Sequence, residues 1–124
     1  MLRNQKGFTL IEIIAVLVIL GILAAVAIPR YISVMEQSRI SAAQGAIAEV
    51  KARASGYYAQ LTLSNSGVPT TGAVMTSVGA APALGPDYTA TASQGGTGEI
   101  TITVTNVKGN VVSVSGVWYW PSAS

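Results

Sequence analysis

From Phe8 to Ile28 the chain reads FTLIEIIAVLVILGILAAVAI, a run of 21 residues whose only charge is Glu12. A bilayer core about 30 Å thick takes roughly 20 helical residues at 1.5 Å each, whereas a core helix of a small soluble domain is shorter and keeps a polar face. The run therefore predicts a membrane-spanning helix. Arg3 and Lys6 precede it and Arg30 follows Pro29, so the basic head is expected in the cytoplasm with the rest of the chain across the membrane. Ala24, Ala25 and Ala27 imitate a signal-peptidase site, but the run is long for a secretory signal, and the helical pattern continues past Pro29 instead of opening a mature domain.

The remainder of the 124 residues has room for one small domain. Beyond Pro29, the positions Ile40, Ala43, Ile47, Val50, Ala54, Tyr57 and Leu61 alternate spacings of three and four, one stripe along an α-helix. Glu49 stands four residues before Arg53, the favourable order for a surface pair, and the cluster from Ser64 to Pro69 supplies a stop. A helix from Phe8 to Leu63 would extend about 84 Å, longer than a bilayer or a small domain. Residues 64–98, rich in Gly, Ser, Thr, Ala and Pro, read as a long connection with little regular structure, within which Tyr88–Ala92 is a candidate short strand. From Glu99 onward, Ile100, Ile102 and Val104 alternate with polar residues, NVKGN turns, and Val112, Val114, Trp118 and Trp120 share a face. A β-hairpin over residues 99–124 would cover the helix stripe and make an α+β head from about Arg30.

Function classes fall away on composition. With no Cys and no His, the chain lacks thiol nucleophiles, imidazole bases and the usual zinc or copper ligands. Ser and Thr are abundant, but no base stands ready to activate them, so no catalytic residues and no enzyme activity are expected. Asp87 and Glu99 are the only carboxylates beyond the helix, too few for a calcium cage without several backbone carbonyls, and no metal or other cofactor is expected. Gly95, Gly96 and Gly98 lack the Lys of a phosphate loop. The formal charge of +2 reflects Arg3 and Lys6; without residues 1–7 basic and acidic side chains are equal in number. Lys51, Arg53 and Lys108 are scattered, and no specific nucleic-acid partner is predicted. Trp118, Tyr119 and Trp120 fit a strand divided between core and interface better than a stacking platform.

Glu12 is the exception within the apolar run. A carboxylate in a membrane helix costs up to about 3 kcal/mol near the bilayer centre and less near the interface. Two readings stand at this point. Either Glu12 sits hydrated or protonated near the interface without consequence, or it meets a cation. A cut after Gly7 would create such a cation, the α-amine of Phe8, about one helical turn away or on a neighbouring molecule. Gly21 weakens a helix by about 1 kcal/mol relative to Ala, and Pro29 removes the hydrogen bond to the Ala25 carbonyl. The stretch from Gly21 to Pro29 is thus the weak point of the helix, equally readable as an ordinary kink.

The segment KGFTLIEIIAVLVILGILAAVAIPRY resembles the class III signal and N-terminal helix of type IV pilins. The matching features are a short basic leader ending in Gly7, Phe8 at the cut, Thr9-Leu10-Ile11-Glu12, an unbroken apolar segment with Gly21, and Pro29 followed by an aromatic residue. The likeness covers residues 1 to about 60. It implies a leader over residues 1–7, a transmembrane and polymerisation helix over 8–29, an amphipathic helix over 30–63, a variable loop over 64–98 and a C-terminal sheet over 99–124. It further implies that a prepilin peptidase reads Lys6 and Gly7, cleaves after Gly7 and N-methylates Phe8. Subunits would then leave the inner membrane through a pilus assembly machinery and form a homopolymer, an extracellular filament for adhesion, motility or DNA uptake. Phe8 and Glu12 would set the register between subunits. The alternative is the major pseudopilin of a type II secretion system. That protein usually carries an acidic calcium site near its C-terminus, and the scarcity of carboxylates here favours a pilus. Many pilins also close a C-terminal loop with two cysteines, which this chain lacks.

Overall fold

The computed structural model describes residues 7–65 and 67–121. Its elements are helix α1 (Leu10–Asn65), helix α2 (Thr71–Val78) and strands β1 (Tyr88–Gln94), β2 (Glu99–Val107) and β3 (Asn110–Tyr119). The chain divides into two compact units, Met1–Gln37 and Ser38–Ser124. The second unit thus begins at Ser38, eight residues beyond the Arg30 expected from sequence, and Tyr31, Ile32 and Val34 are exposed.

In the second unit, α1 presents the anticipated stripe. Ala43, Ile47, Val50 and Ala54 are buried, flanked by half-buried Ile40, Tyr57 and Leu61. They join Ile100, Ile102 and Val104 of β2 and Trp118 of β3 in one core. The 3-4 spacing gathers these side chains on one side of the helix, and the period of two gathers their partners on one side of the sheet. The opposite face of the sheet is rich in hydroxyls, among them Thr103 and Ser115, whose Oγ atoms lie 3.0 Å apart.

The sheet is antiparallel in the order β1-β2-β3, with three strands where the sequence reading put a hairpin. Within 64–98, expected to carry little regular structure, the candidate strand at Tyr88–Ala92 is present as β1, two residues longer, and pairs with β2, while α2 is an unexpected helix. Thr70 caps α2 by accepting from the Ala73 N–H at 3.2 Å, and Gly79, with φ of 84°, ends it by donating to the Met75 carbonyl at 2.8 Å. Thr71 is buried at 4% exposure, and its Oγ1 accepts from the Gly98 N–H at 2.9 Å. The outer edge of β1 is met by the chain after α2, where the Ala92 N–H donates to the Ala80 carbonyl at 2.9 Å.

A second departure lies at the β2–β3 connection. The expected turn was NVKGN, residues 106–110, yet β2 runs on to Val107 and only Lys108 and Gly109 turn, with φ of 49° and 78°. Both signs suit a two-residue hairpin loop, whose positive φ values match the twist of the strands. The extension rests on a bulge: Thr105 has no partner in either ladder. Strict alternation would send Asn106 inward and Val107 outward, and one extra residue reverses that phase. Val107 is accordingly buried at 2% exposure. Asn106 Oδ1 is buried with no hydrogen-bond partner among the described residues.

Gly116 allows β3 to approach α1. A Cβ there would stand 2.6 Å from Ile47 Cγ2, too close for any real contact. Two residues on, the Trp118 indole N–H donates to Ser55 Oγ at 2.9 Å, and the Trp120 indole N–H donates to Tyr58 OH at the same distance. Tyr58 and Trp120 pack edge to face with centroids 5.4 Å apart.

Candidate processing and assembly site

Gly7 and Phe8 lie outside regular structure, and Phe8 is 82% exposed. Helix α1 starts two residues later, and Thr9 supplies its cap. The Thr9 N–H donates to Glu12 Oε2 at 3.0 Å, while the Glu12 N–H donates to Thr9 Oγ1 at 3.2 Å. This is a reciprocal capping box. The Ile13 N–H donates to the Thr9 carbonyl at 3.2 Å and closes the first turn. A carboxylate in that turn is also favoured by the positive end of the helix dipole.

Glu12 therefore has a partner within its own chain, which the sequence reading did not supply. The signal is present as Thr-x-x-Glu directly ahead of an apolar run, and Thr9, named above only as part of the motif, is the capping residue. The arrangement defines a helix boundary just beyond the Gly7–Phe8 bond. It also aims the Glu12 carboxylate at the backbone next to Phe8, where an α-amine would appear if that bond were cut. Lys6 lies outside the described residues.

Behind this end, the helix is uncovered. It is long and apolar enough to cross a membrane, and none of its most apolar stretch is buried. Leu10 and Ile11 are exposed, as are Leu17, Leu20 and Ile28. Gly21 and Pro29 are both helical, and a Cβ on Gly21 would meet no atom within 4 Å. Among the described residues, no packing requires Gly21.

The other residues singled out in the sequence occupy separate settings. Arg53 pairs with Glu49 and donates to the Ala83 carbonyl at 2.7 Å, binding the segment before β1 to α1. Lys51 lies over Gly116, and Lys108 is at the tip of the β2–β3 turn. Trp118 is buried, Tyr119 faces outward at 64% exposure and Trp120 rests on Tyr58, so the triplet forms no flat platform. Gly98, with φ of 80°, is held between Thr71 and Trp120.

Residues 2–28 match the model of the prokaryotic N-terminal methylation motif. The chain is 44% identical over 69 residues to the type II secretion system core protein G of Pseudomonas aeruginosa, covering 56% of this chain and 46% of that protein. It is 39% identical over 67 residues to the type IV narrow pilus major component PilA5 of Thermus thermophilus, covering 54% of each. It is 57% identical over 37 residues to the type IV major fimbrial protein FimA of Dichelobacter nodosus, covering 30% of this chain and 24% of that protein. Over its N-terminal half the chain is thus similar both to type IV pilins and to a type II secretion system core protein. The chain spans about half the length of the first two of these curated relatives. No solved structure matches it. Its α+β fold, a long N-terminal helix on a small antiparallel sheet, agrees with that likeness.

Proposed function

We propose that this chain is the structural subunit, the major pilin, of a type IV pilus. Residues 1–7 are the leader, read through Lys6 and Gly7 by a prepilin peptidase that cleaves before Phe8 and N-methylates the new amine. The subunit waits in the inner membrane, N-terminus in the cytoplasm, and polymerises through the helix from Phe8 to Pro29 into an extracellular filament serving adhesion, motility or DNA uptake. Its role is structural, not enzymatic.

The observation that carries this reading is the coincidence of a capped, carboxylate-bearing helix start with an apolar helix left uncovered by its own chain. Such a helix exchanges lipid for neighbouring helices at little hydrophobic cost, so packing and polar contacts decide the partner. Glu12, poised at the backbone next to Phe8, then pairs with the Phe8 amine of a neighbour and sets the register.

The test is to shear surface fibres from cells carrying this chain, image them, and identify subunit and N-terminus by mass. Long extracellular fibres made of this chain and starting at Phe8 are expected. Their absence, with export of secreted proteins lost when the chain is deleted, supports the second reading, the major pseudopilin of a type II secretion system. The likeness to a secretion system core protein is what favours that alternative.

A further inference from the structure

The hydrogen-bond phase of the sheet identifies which backbone groups are left over. The Trp120 N–H donates to the Gly98 carbonyl at 2.8 Å, continuing the β2–β3 ladder by one pair. Hydrogen-bonded pairs recur at every second residue of an antiparallel ladder. Trp118 and Gly116 therefore bond to Ile100 and Ile102, and the N–H and C=O groups of Ser115, Val117 and Tyr119 point away from β2. The same logic reproduces the other side of the sheet. The Gly95 N–H donates to the Glu99 carbonyl, so alternate residues of β1 point outward, and Ala92, one of those, donates to Ala80. One edge of the sheet is thus met by its own chain. Among the described residues, no hydrogen bond reaches the outward groups of Ser115, Val117 and Tyr119.

Open edges in soluble domains are commonly blunted by charge, proline or shortness. From Asn110 to Tyr119, β3 has ten residues, none charged and none proline. Lys51 reaches it only from the core side, over Gly116, out of the plane of the ladder. The chemistry that satisfies such an edge is another extended strand. Only β3 offers this chain an edge of that kind among its described strands, so a second copy brings the matching one.

We propose that the open edge of β3 pairs antiparallel with β3 of a second copy of this chain, centred on Val117. In that register Val117 faces Val117, Ser115 faces Tyr119, and each outward N–H meets an outward carbonyl. Like faces also stay together, since Gly116 and Trp118 both point to the core side. No charged side chain on either strand opposes the approach. The pairing uses the head alone and does not depend on the filament reading; between filaments it would bind neighbours side by side.

The chain contains no Cys, so a single introduced one reports a single contact. Directly opposed residues in a hydrogen-bonded antiparallel pair have Cα atoms about 5.5 Å apart, within disulfide reach. Full-length Val117→Cys in detergent solution under a mild oxidant should give about tenfold more disulfide-linked dimer than Val111→Cys, which is more exposed but outside the paired register. Val117→Pro deletes an N–H that β2 does not use, so it should abolish dimer in sedimentation while leaving the near-UV signal of the tryptophans unchanged. Equal cross-linking at positions 111 and 117, or none at either, overturns the proposal. So does a folded Val117→Pro protein that dimerises as wild type. Filament yield, measured on the same variants, reports the assembly reading separately.

Discussion

Thr9 and Glu12 close on each other from both sides, the Thr9 N–H on Glu12 Oε2 at 3.0 Å and the Glu12 N–H on Thr9 Oγ1 at 3.2 Å. Each satisfies a backbone donor that the first turn of a helix leaves free. The carboxylate that looked costly in a membrane helix is thereby held at the one end where backbone N–H groups welcome it. The same contact gives Glu12 two calls on its charge if the proposed assembly holds, its own cap in the subunit and a neighbour's amine in the polymer.

The first prediction separates those two. Removing a cap costs about 1 kcal/mol, too little to expel a helix this apolar from a membrane. Glu12→Ala and Thr9→Ala should both insert at wild-type levels. Glu12→Ala should lose filament, because a buried amine left without its partner is penalised by several kcal/mol. Glu12→Asp, with shorter reach, should assemble partially. Comparing membrane monomer with sheared fibre in the same cells gives the answer, and wild-type fibre from Glu12→Ala would remove Glu12 from the assembly mechanism.

The second concerns Gly7. A bulky side chain beside the cut should block the peptidase, so Gly7→Val should accumulate as full-length precursor in the membrane. N-terminal sequencing decides between a start at Phe8 and one at Met1 or near Ala27 for the wild-type protein.

The third concerns the indole of Trp118, which is buried and bonded to Ser55. Trp118→Ala should destabilise the head by about 3–5 kcal/mol through the cavity it leaves. Loss of the hydrogen bond alone, in Ser55→Ala, should cost about 1 kcal/mol. Urea unfolding of a fragment from Ser38 onward measures both, and a silent Trp118→Ala would place that indole outside the core.

The fourth tests the close approach at Gly116. Gly116→Ala drives a methyl to 2.6 Å from Ile47 Cγ2 and should cost about 1–3 kcal/mol by overpacking. Ile47→Ala removes that atom. The double variant should therefore be more stable than the two single losses added together, by about 1 kcal/mol, as contacting residues couple. Strict additivity in the same unfolding assay would mean that β3 and α1 are not in contact there.

Much of the fold was legible because its signals are local. A run of apolar residues needs no partner to declare a spanning helix, and the spacing from Ile40 to Leu61 marks a buried face whatever covers it. The alternation from Ile100 to Val104 does the same for a strand. The capping box of Thr9 and Glu12 is a local signal too, written within four residues, although the sequence reading did not supply it. The leader and the cut after Gly7 are proposals drawn from the resemblance, which the motif match over residues 2–28 supports, and Lys6 lies outside the described structure.

Tertiary structure decided what local pattern leaves open. Helix α2 has eight residues of mostly small or hydroxyl side chains and does not announce itself, while β1, legible as a candidate strand over Tyr88–Ala92, buries only Ala90 and Ala92 and shows nothing of its place in the sheet. Each is held by a partner remote in sequence or outside its own pattern: Thr71 by Gly98, Ala92 by Ala80 and by Ile102 across the ladder. The bulge at Thr105 is of the same kind. An alternating pattern cannot reveal that one residue will be skipped so that Val107 enters the core. Short elements gain their stability from burial against chain far away, and that term appears only once the chain has folded.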